Sequence, residues 1–249
     1  MRWLPIWQRH MLVWRRLFIP SLVGNFGEPL LYLVALGYGL GNFIGEINGL
    51  SYVVFLASGI VCSSAMNTAT FEGLYSAYTR MAIQKTWDGM LATPLSIDDI
   101  VLAEVIWAGS KGFVNAAAIM VVAAFLGAVA GWSALWVLPI VLLTGLCFGA
   151  MALCVTAVAK SYDFFQYYFT LVVAPMLMFS GVFFPLSEMP KIVSMVAQLL
   201  PLTHSLEIIR PLMVGLPVEA LALHIIVLSL YTTAAVLLAS KLIKRRLSA

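Results

Sequence analysis

Long apolar runs alternate with short polar breaks along almost the whole chain. Six of the runs, at about 17–41, 51–75, 101–126, 134–158, 163–184 and 219–240, approach the roughly 20 apolar residues that carry a helix across a bilayer core. Ahead of the first run the pattern becomes amphipathic. At about 100° per residue, Trp3, Trp7, Met11 and Trp14 fall on one side of a helix and Arg2, Arg9 and Arg16 on the other. This predicts an interfacial helix over 1–16, with tryptophan at headgroup depth and arginine near anionic lipid. Such a helix anchors the first span, and it can also form part of a docking surface for a cytoplasmic partner.

Two connections carry patterns of their own. Between the fifth and sixth runs, Pro185, Pro190, Pro201, Pro211 and Pro217 cut 185–218 into pieces too short to span. Yet Ile192, Val193, Val196, Leu199 and Leu200 recur at helical spacing, and Glu207 and Arg210 sit three apart, as paired neighbours on a helix do. Irregular backbone at membrane depth is tolerated only where protein or a water-filled cavity covers it. The stretch is therefore either a pair of re-entrant helices closing one mouth, with Phe183, Phe184, His204 and Glu207 as gate or pathway candidates, or a helical cap packed on the spans. The connection 76–100 has a short helical pattern from Arg80 to Leu91, a break at Thr93 and Pro94, and a capping signature at Ser96, Ile97, Asp98 and Asp99.

Composition narrows the class. Hydrophobic residues make up 62% of the 249 positions and charged residues 10%, against roughly 45–50% and about 25% in soluble domains. The chain is expected to be an all-α integral membrane protein forming one transmembrane domain over 1–249. Basic residues set its orientation, because lysine and arginine gather on cytoplasmic segments. Arg2, Arg9, Arg15 and Arg16 precede the first run, and Lys241, Lys244, Arg245 and Arg246 follow the last. Both termini are expected in the cytoplasm with six spans between them, which also places Arg80, Lys85 and Lys160 inside. Lys111, Lys191 and Arg210 do not follow this pattern. Cys62, Cys147 and Cys154 lie in apolar runs and suit packing rather than a disulfide framework. The N-terminal segment shows no small-residue cleavage site and is expected to be retained.

Charges and polar stripes inside the runs supply the candidate chemistry. Glu28 and Lys111 fall near the midplane, where unpaired charge is expensive, so a pair across the first and third spans is expected. That pair could serve as structural glue or in gating, or each group could be satisfied separately. Glu104 shares the face of Lys111 and lies shallower, whereas Glu72 and Asp163 read as inexpensive charges near span ends. Ser63, Ser64, Asn67, Thr68 and Thr70 wet one side of the second span; they serve helix packing or line a pathway, for which Ser63 and Asn67 are the candidates. In YDFFQYYF from Tyr162, Phe165 and Tyr168 belong either to an interfacial aromatic belt or to rings that stack on sugars entering a pathway.

Four stretches taken in order resemble a known family: EPLLYLVALGYGLG from Glu28, the loop helix ending in LATPLS, FSGVFFPLSEMP at Phe179–Pro190, and LPLTHSLEIIR at Leu200–Arg210. They resemble the permeases of type-2 ABC exporters, and the first stretch looks like the nodulation-factor branch, whose members export lipo-oligosaccharides. The resemblance covers essentially the whole chain. It implies a coupling helix seated in a cleft of an ATPase, with Arg80, Lys85, Trp87, Asp88 and Leu91 as coupling residues, and re-entrant outer helices before the last span. It also implies a homodimer on two ABC ATPase subunits in a bacterial inner membrane, moving an amphiphile such as a lipid-linked or lipo-oligosaccharide. The residues add a check of their own: no G-x-x-x-x-G-K-[ST] phosphate loop occurs. ATP and magnesium would thus be bound by the partner ATPase, and the chain itself is expected to be a permease without catalytic residues, cofactor or nucleic-acid partner. The alternative is an ion-coupled secondary carrier using Glu28, Glu104 and Lys111 as a relay, although matching interrupted spans in two halves are missing. An intramembrane enzyme is disfavoured, since His10, His204 and His224 show no metal-ligand spacing and Ser180 has no visible base.

Overall fold

A computed structural model describes residues 2–16, 18–47 and 49–247, without the side chains of residues 19, 21–26, 28 and 42. Apart from one hairpin of two-residue strands, β1 (Glu46–Ile47) and β2 (Leu50–Ser51) paired antiparallel with Glu46 opposite Ser51, all its regular structure is helical. In chain order the helices are α1 (Leu4–Arg16), α2 (Phe18–Gly39), α3 (Gly41–Ile44), α4 (Tyr52–Ile83), α5 (Thr86–Leu91) and α6 (Ile97–Phe125). They continue with α7 (Trp132–Val158), α8 (Asp163–Phe179), α9 (Lys191–Ala197), α10 (Pro201–Val214) and α11 (Leu221–Leu247). Among the described residues four helices, α4, α6, α7 and α11, are long and apolar enough to cross a membrane. The pair α9 and α10 reaches that length only together and bends by 90° between its halves. The fifth predicted run is shorter than expected, because α8 ends at Phe179 and Gly181 turns the chain with φ +85°.

Local chemistry explains two boundaries. At the start of α6, Ser96 Oγ accepts a hydrogen bond from Asp99 N at 3.2 Å while Asp99 Oδ2 accepts from Ser96 N at 3.0 Å, the reciprocal capping box that the sequence predicts. The end of α4 departs from expectation. Instead of stopping near 75, the helix continues to Ile83 through two π-helical turns, Glu72–Ser76 and Thr79–Ile83. Lys85 then takes a left-handed conformation with φ 49° and breaks the helix before α5. Arg80 accordingly belongs to the long helix, and the loop helix is only Thr86–Leu91.

α4 and α7 are the most enclosed of the long helices and α11 the least. Small residues let the central three approach closely: a Cβ on Gly112 of α6 would stand 2.8 Å from the carbonyl oxygen of Ala65 in α4. Gly145 and Gly149 of α7 likewise press against Gly109 and Ala108 of α6, as expected where lipid offers no hydrophobic drive and contact alone joins helices. Side chains then form two apolar clusters. One surrounds Phe55, Phe148, Leu206 and Ile209; the other surrounds Leu74, Trp87, Ile100, Leu153, Phe165 and Ile243, at the end that carries both termini.

Candidate functional site

The second cluster encloses charge. Glu72, in the first π turn of α4, is 4% exposed and Glu104 of α6 is 1% exposed. Arg80 lies between them. Its Nε donates to Glu104 Oε1 at 2.9 Å, and its Nη2 donates to Glu72 Oε1 at 2.9 Å and also to Glu104 Oε2. Lys111 Nζ donates to the other oxygen of Glu72 at 2.8 Å. Two indoles complete the shell: Trp107 Nε1 donates to Glu72 Oε1 at 2.9 Å and Trp87 Nε1 to Glu104 Oε1 at 3.1 Å. His10 Nε2 of α1 stands 3.3 Å from Glu104 Oε1, within electrostatic reach but off the hydrogen-bond direction.

Two carboxylates thus meet two cations without counting His10, and every carboxylate oxygen has a donor. A planar guanidinium suits this place, since its fork can serve two acceptors where an ammonium offers a point charge. With a donor on every carboxylate oxygen, the cluster is built as a joint. It ties α1, α4, α5 and α6 together, and the loop helix joins through a single bond, that of Trp87.

This arrangement corrects several expectations. Trp87 is fully buried and Arg80 is turned inward, so neither faces a cytoplasmic partner. Lys85 and Asp88 are exposed, and Leu91 packs half-buried on the lower core. Lys111 has Glu72 as its partner; the side chain of Glu28 lies outside the described residues. The tryptophan face of α1 packs on α6 instead of lying among headgroups: Trp7 Nε1 donates to Ser110 Oγ at 3.1 Å, and the rings of Trp7 and Trp14 meet Trp107 edge-on. Arg9, Arg15 and Arg16 remain exposed.

The pathway candidates divide. Ser63 is buried with its hydroxyl on Ile60 O at 3.2 Å, and Thr68 accepts from Asn115 Nδ2 at 2.9 Å, so much of the polar stripe serves packing; Asn67 is half-buried. Phe165 is enclosed among Tyr75, Tyr78 and Tyr162, and Tyr168 is half-buried. Beside them Phe71 stacks on Tyr75 at 5.0 Å and Tyr75 on Tyr162 at 6.0 Å, leaving Phe71 and Tyr162 partly exposed.

At the bend of α9 and α10, His204 is buried, with Nδ1 at 2.8 Å from Nδ1 of His224 and Nε2 at 2.8 Å from Gln198 O. A carbonyl only accepts, so His204 carries its proton on Nε2 and His224 donates from Nδ1. Glu207 is exposed one turn further on. Arg210 does not pair with it at salt-bridge distance. Its Nε donates to Ser58 Oγ at 3.0 Å and its Nη2 to Gly181 O at 2.8 Å, with the guanidinium 3.7 Å over the ring of Phe55. Phe183 is half-buried against Tyr32, and Phe184 is exposed.

Residues 3–214 match a family model described as ABC-2 type transporter. The chain belongs to that family. A protein named Nodulation protein J from Rhizobium meliloti (strain 1021) is 43% identical over 245 residues, which is 98% of this chain and 94% of that protein. Another of the same name, from Rhizobium leguminosarum bv. trifolii, is 44% identical over 247 residues, 99% and 94% of the two chains. More distantly, Inner membrane transport permease YadH of Escherichia coli (strain K12) is 23% identical over 240 residues, 96% and 93% of the two chains. As an ABC-2 type transporter the chain is a membrane component of transport. The stretch matched to the ABC-2 type transporter model takes in every member of the charge cluster and leaves α11 outside. Sequence reasoning missed Glu72, His10 and Trp107 as members of one site. The available signal was two acidic and two basic residues near the same end of two adjacent runs.

Proposed function

We propose that this chain is the membrane-spanning subunit of an ATP-driven exporter, working as a homodimer on two separate ABC ATPase subunits that bind ATP and magnesium. Its cargo is an amphiphile with a saccharide part, a lipo-oligosaccharide, moved outward across the bacterial inner membrane. In this reading α2, α4, α6, α7, α8 and α11 are the six spans, both termini are cytoplasmic, and α9 with α10 forms the re-entrant outer structure. The full-length likeness to proteins named Nodulation protein J supports the cargo class. The aromatic faces of Phe71, Tyr75 and Tyr162 suit stacking against sugar rings.

The observation that carries the coupling role is the bond from Trp87 to Glu104, within the cluster that joins the loop helix to α4 and α6. A push on the exposed Lys85 and Asp88 face of α5 reaches two spans through that contact. Reconstitution tests the reading. Vesicles holding the permease and its ATPase should export a lipo-oligosaccharide with ATP and not without it. Transport by the permease alone, driven by an ion gradient, would favour the secondary carrier instead. The donors on both oxygens of Glu104 and the pairing of Lys111 with Glu72 argue against that relay.

A further inference from the structure

A crevice outside the charge cluster opens sideways between the ends of α7, α8 and α11. It encloses about 380 Å³ and is lined almost wholly by apolar atoms, chiefly from Val155 and Val158 of α7, Phe164, Tyr167 and Leu171 of α8, and Leu242 of α11. Its rim is open: Leu171 is 71% exposed and Tyr167 64%. The lining residues fix its depth. Val158 is the last residue of α7, Phe164 the second of α8, and Leu242 lies in the closing turns of α11, so the crevice opens at these helix ends and runs inward along α8 as far as Val172.

Positive charge gathers at these helix ends. Arg245 follows Leu242 by three residues and shares its side of the helix, and Lys160 lies just past Val158. Both are exposed, as is Lys241, and none of the three has a carboxylate within 4 Å among the described residues. Arg246 is fixed beside them, donating to the carbonyls of Thr156 at 2.7 Å and Ala157 at 3.3 Å at the end of α7. The acidic residue of this rim, Asp163, accepts from Ser161 Oγ. An apolar slot ending in unpaired cations complements an acyl chain ending in an anion.

We propose that this crevice binds one anionic glycerophospholipid, with an acyl chain along Tyr167, Leu171 and Leu242 and the phosphate between Lys160 and Arg245. Chain burial alone would not distinguish it from bulk lipid, since lipid tails are as apolar as the helix surface. The headgroup charge does so, as in other basic pockets between spans at the cytoplasmic face. The inner-leaflet assignment rests on the topology given under Proposed function. A lipid seated there would pack between α8 and α11 and make the position of Tyr162, just ahead of α8, sensitive to leaflet composition.

Native mass spectrometry of the permease–ATPase complex, exchanged from micelles containing phosphatidylglycerol or phosphatidylcholine, tests the site. The wild type should keep one phosphatidylglycerol per permease chain and release phosphatidylcholine. Lys160→Gln with Arg245→Gln should weaken retention roughly 30-fold, the effect of two charges of about 1 kcal/mol each. Leu171→Trp, which fills the slot and leaves the charges, should also lose the lipid. Retention by Leu171→Trp would overturn the proposal in favour of loose basic-surface binding. Equal retention of both lipids, or displacement of phosphatidylglycerol by added lipo-oligosaccharide, would overturn it as well. ATP hydrolysis measured on the same samples separates the two readings: a failed exporter leaves the lipid count readable, and a wild type that keeps no phosphatidylglycerol while stimulation is intact counts against the crevice alone.

Discussion

Arg80 holds two carboxylates with one guanidinium in a place almost sealed from water, so its removal strands both. Arg80→Ala should lower stability by about 3–5 kcal/mol, whereas Arg80→Met with Glu104→Gln should recover much of that loss, because an uncompensated buried charge costs more than a missing pair. Lys111→Met and Glu72→Gln should show the same non-additivity, measured as unfolding of the purified protein in micelles. Strictly additive losses would mean that Lys111 and Glu72 are not energetic partners. That Lys111 needs a partner is legible from its depth in an apolar run. Which partner it takes is not. Eight residues at 3.6 per turn leave Glu72 and Arg80 about 80° apart on a straight helix, and the two π turns of α4 are what bring both to Glu104 and Lys111. No propensity announces a π turn. The histidines behave alike: His204 and His224 are twenty positions apart on separate helices and look scattered until the turn between α10 and α11, through Gly215 and Ala220 at positive φ, sets Nδ1 against Nδ1.

A helix of six residues has little stability of its own, so α5 keeps its shape through what it packs on. The helical pattern expected from Arg80 to Leu91 is broken at the left-handed Lys85, which resets the rotation, and Trp87 turns inward while Asp88 faces out. Two substitutions separate the faces. Trp87→Phe keeps the apolar ring and deletes the N–H that reaches Glu104, so insertion and assembly should persist while stimulation of the ATPase falls severalfold. Asp88→Ala should leave stability within about 0.5 kcal/mol, as exposed positions do, and weaken ATPase association instead. Co-purification yield and hydrolysis rate, measured together, distinguish a broken transmission from a broken dock. Equal effects of both changes on association would place Trp87 at the interface after all. Lys85→Gly should raise stability slightly, because glycine accepts the positive φ without the penalty of a Cβ.

At the scale of the molecule, the all-helical membrane class, four apolar runs that form helices long enough to cross a membrane, and the proline-cut stretch that bends between α9 and α10 are legible, because length, hydropathy and proline decide them. The coupling between parts is not, because it depends on side chains from four helices converging across sequence gaps. The proposed topology yields a test with opposite expectations for neighbouring residues. In a background lacking Cys62, Cys147 and Cys154, Glu207→Cys should react with an impermeant thiol reagent added outside, since Glu207 is exposed. His204→Cys, buried one turn away against Gln198 and His224, should react far more slowly. Lys85→Cys, on the opposite side, should react only after the cytoplasmic face is opened. If α10 moves during transport, the contacts of His204 with His224 and of Arg210 with Ser58 and Gly181 must open. Trapping the ATPase with nucleotide should then speed labelling at position 204 toward that at 207. A constant ratio between the two sites would make α9 and α10 a static cap. Labelling of Glu207→Cys from the cytoplasmic side alone would overturn the proposed six-span orientation, and with it the placement of α5 and its exposed Asp88 on the cytoplasmic side.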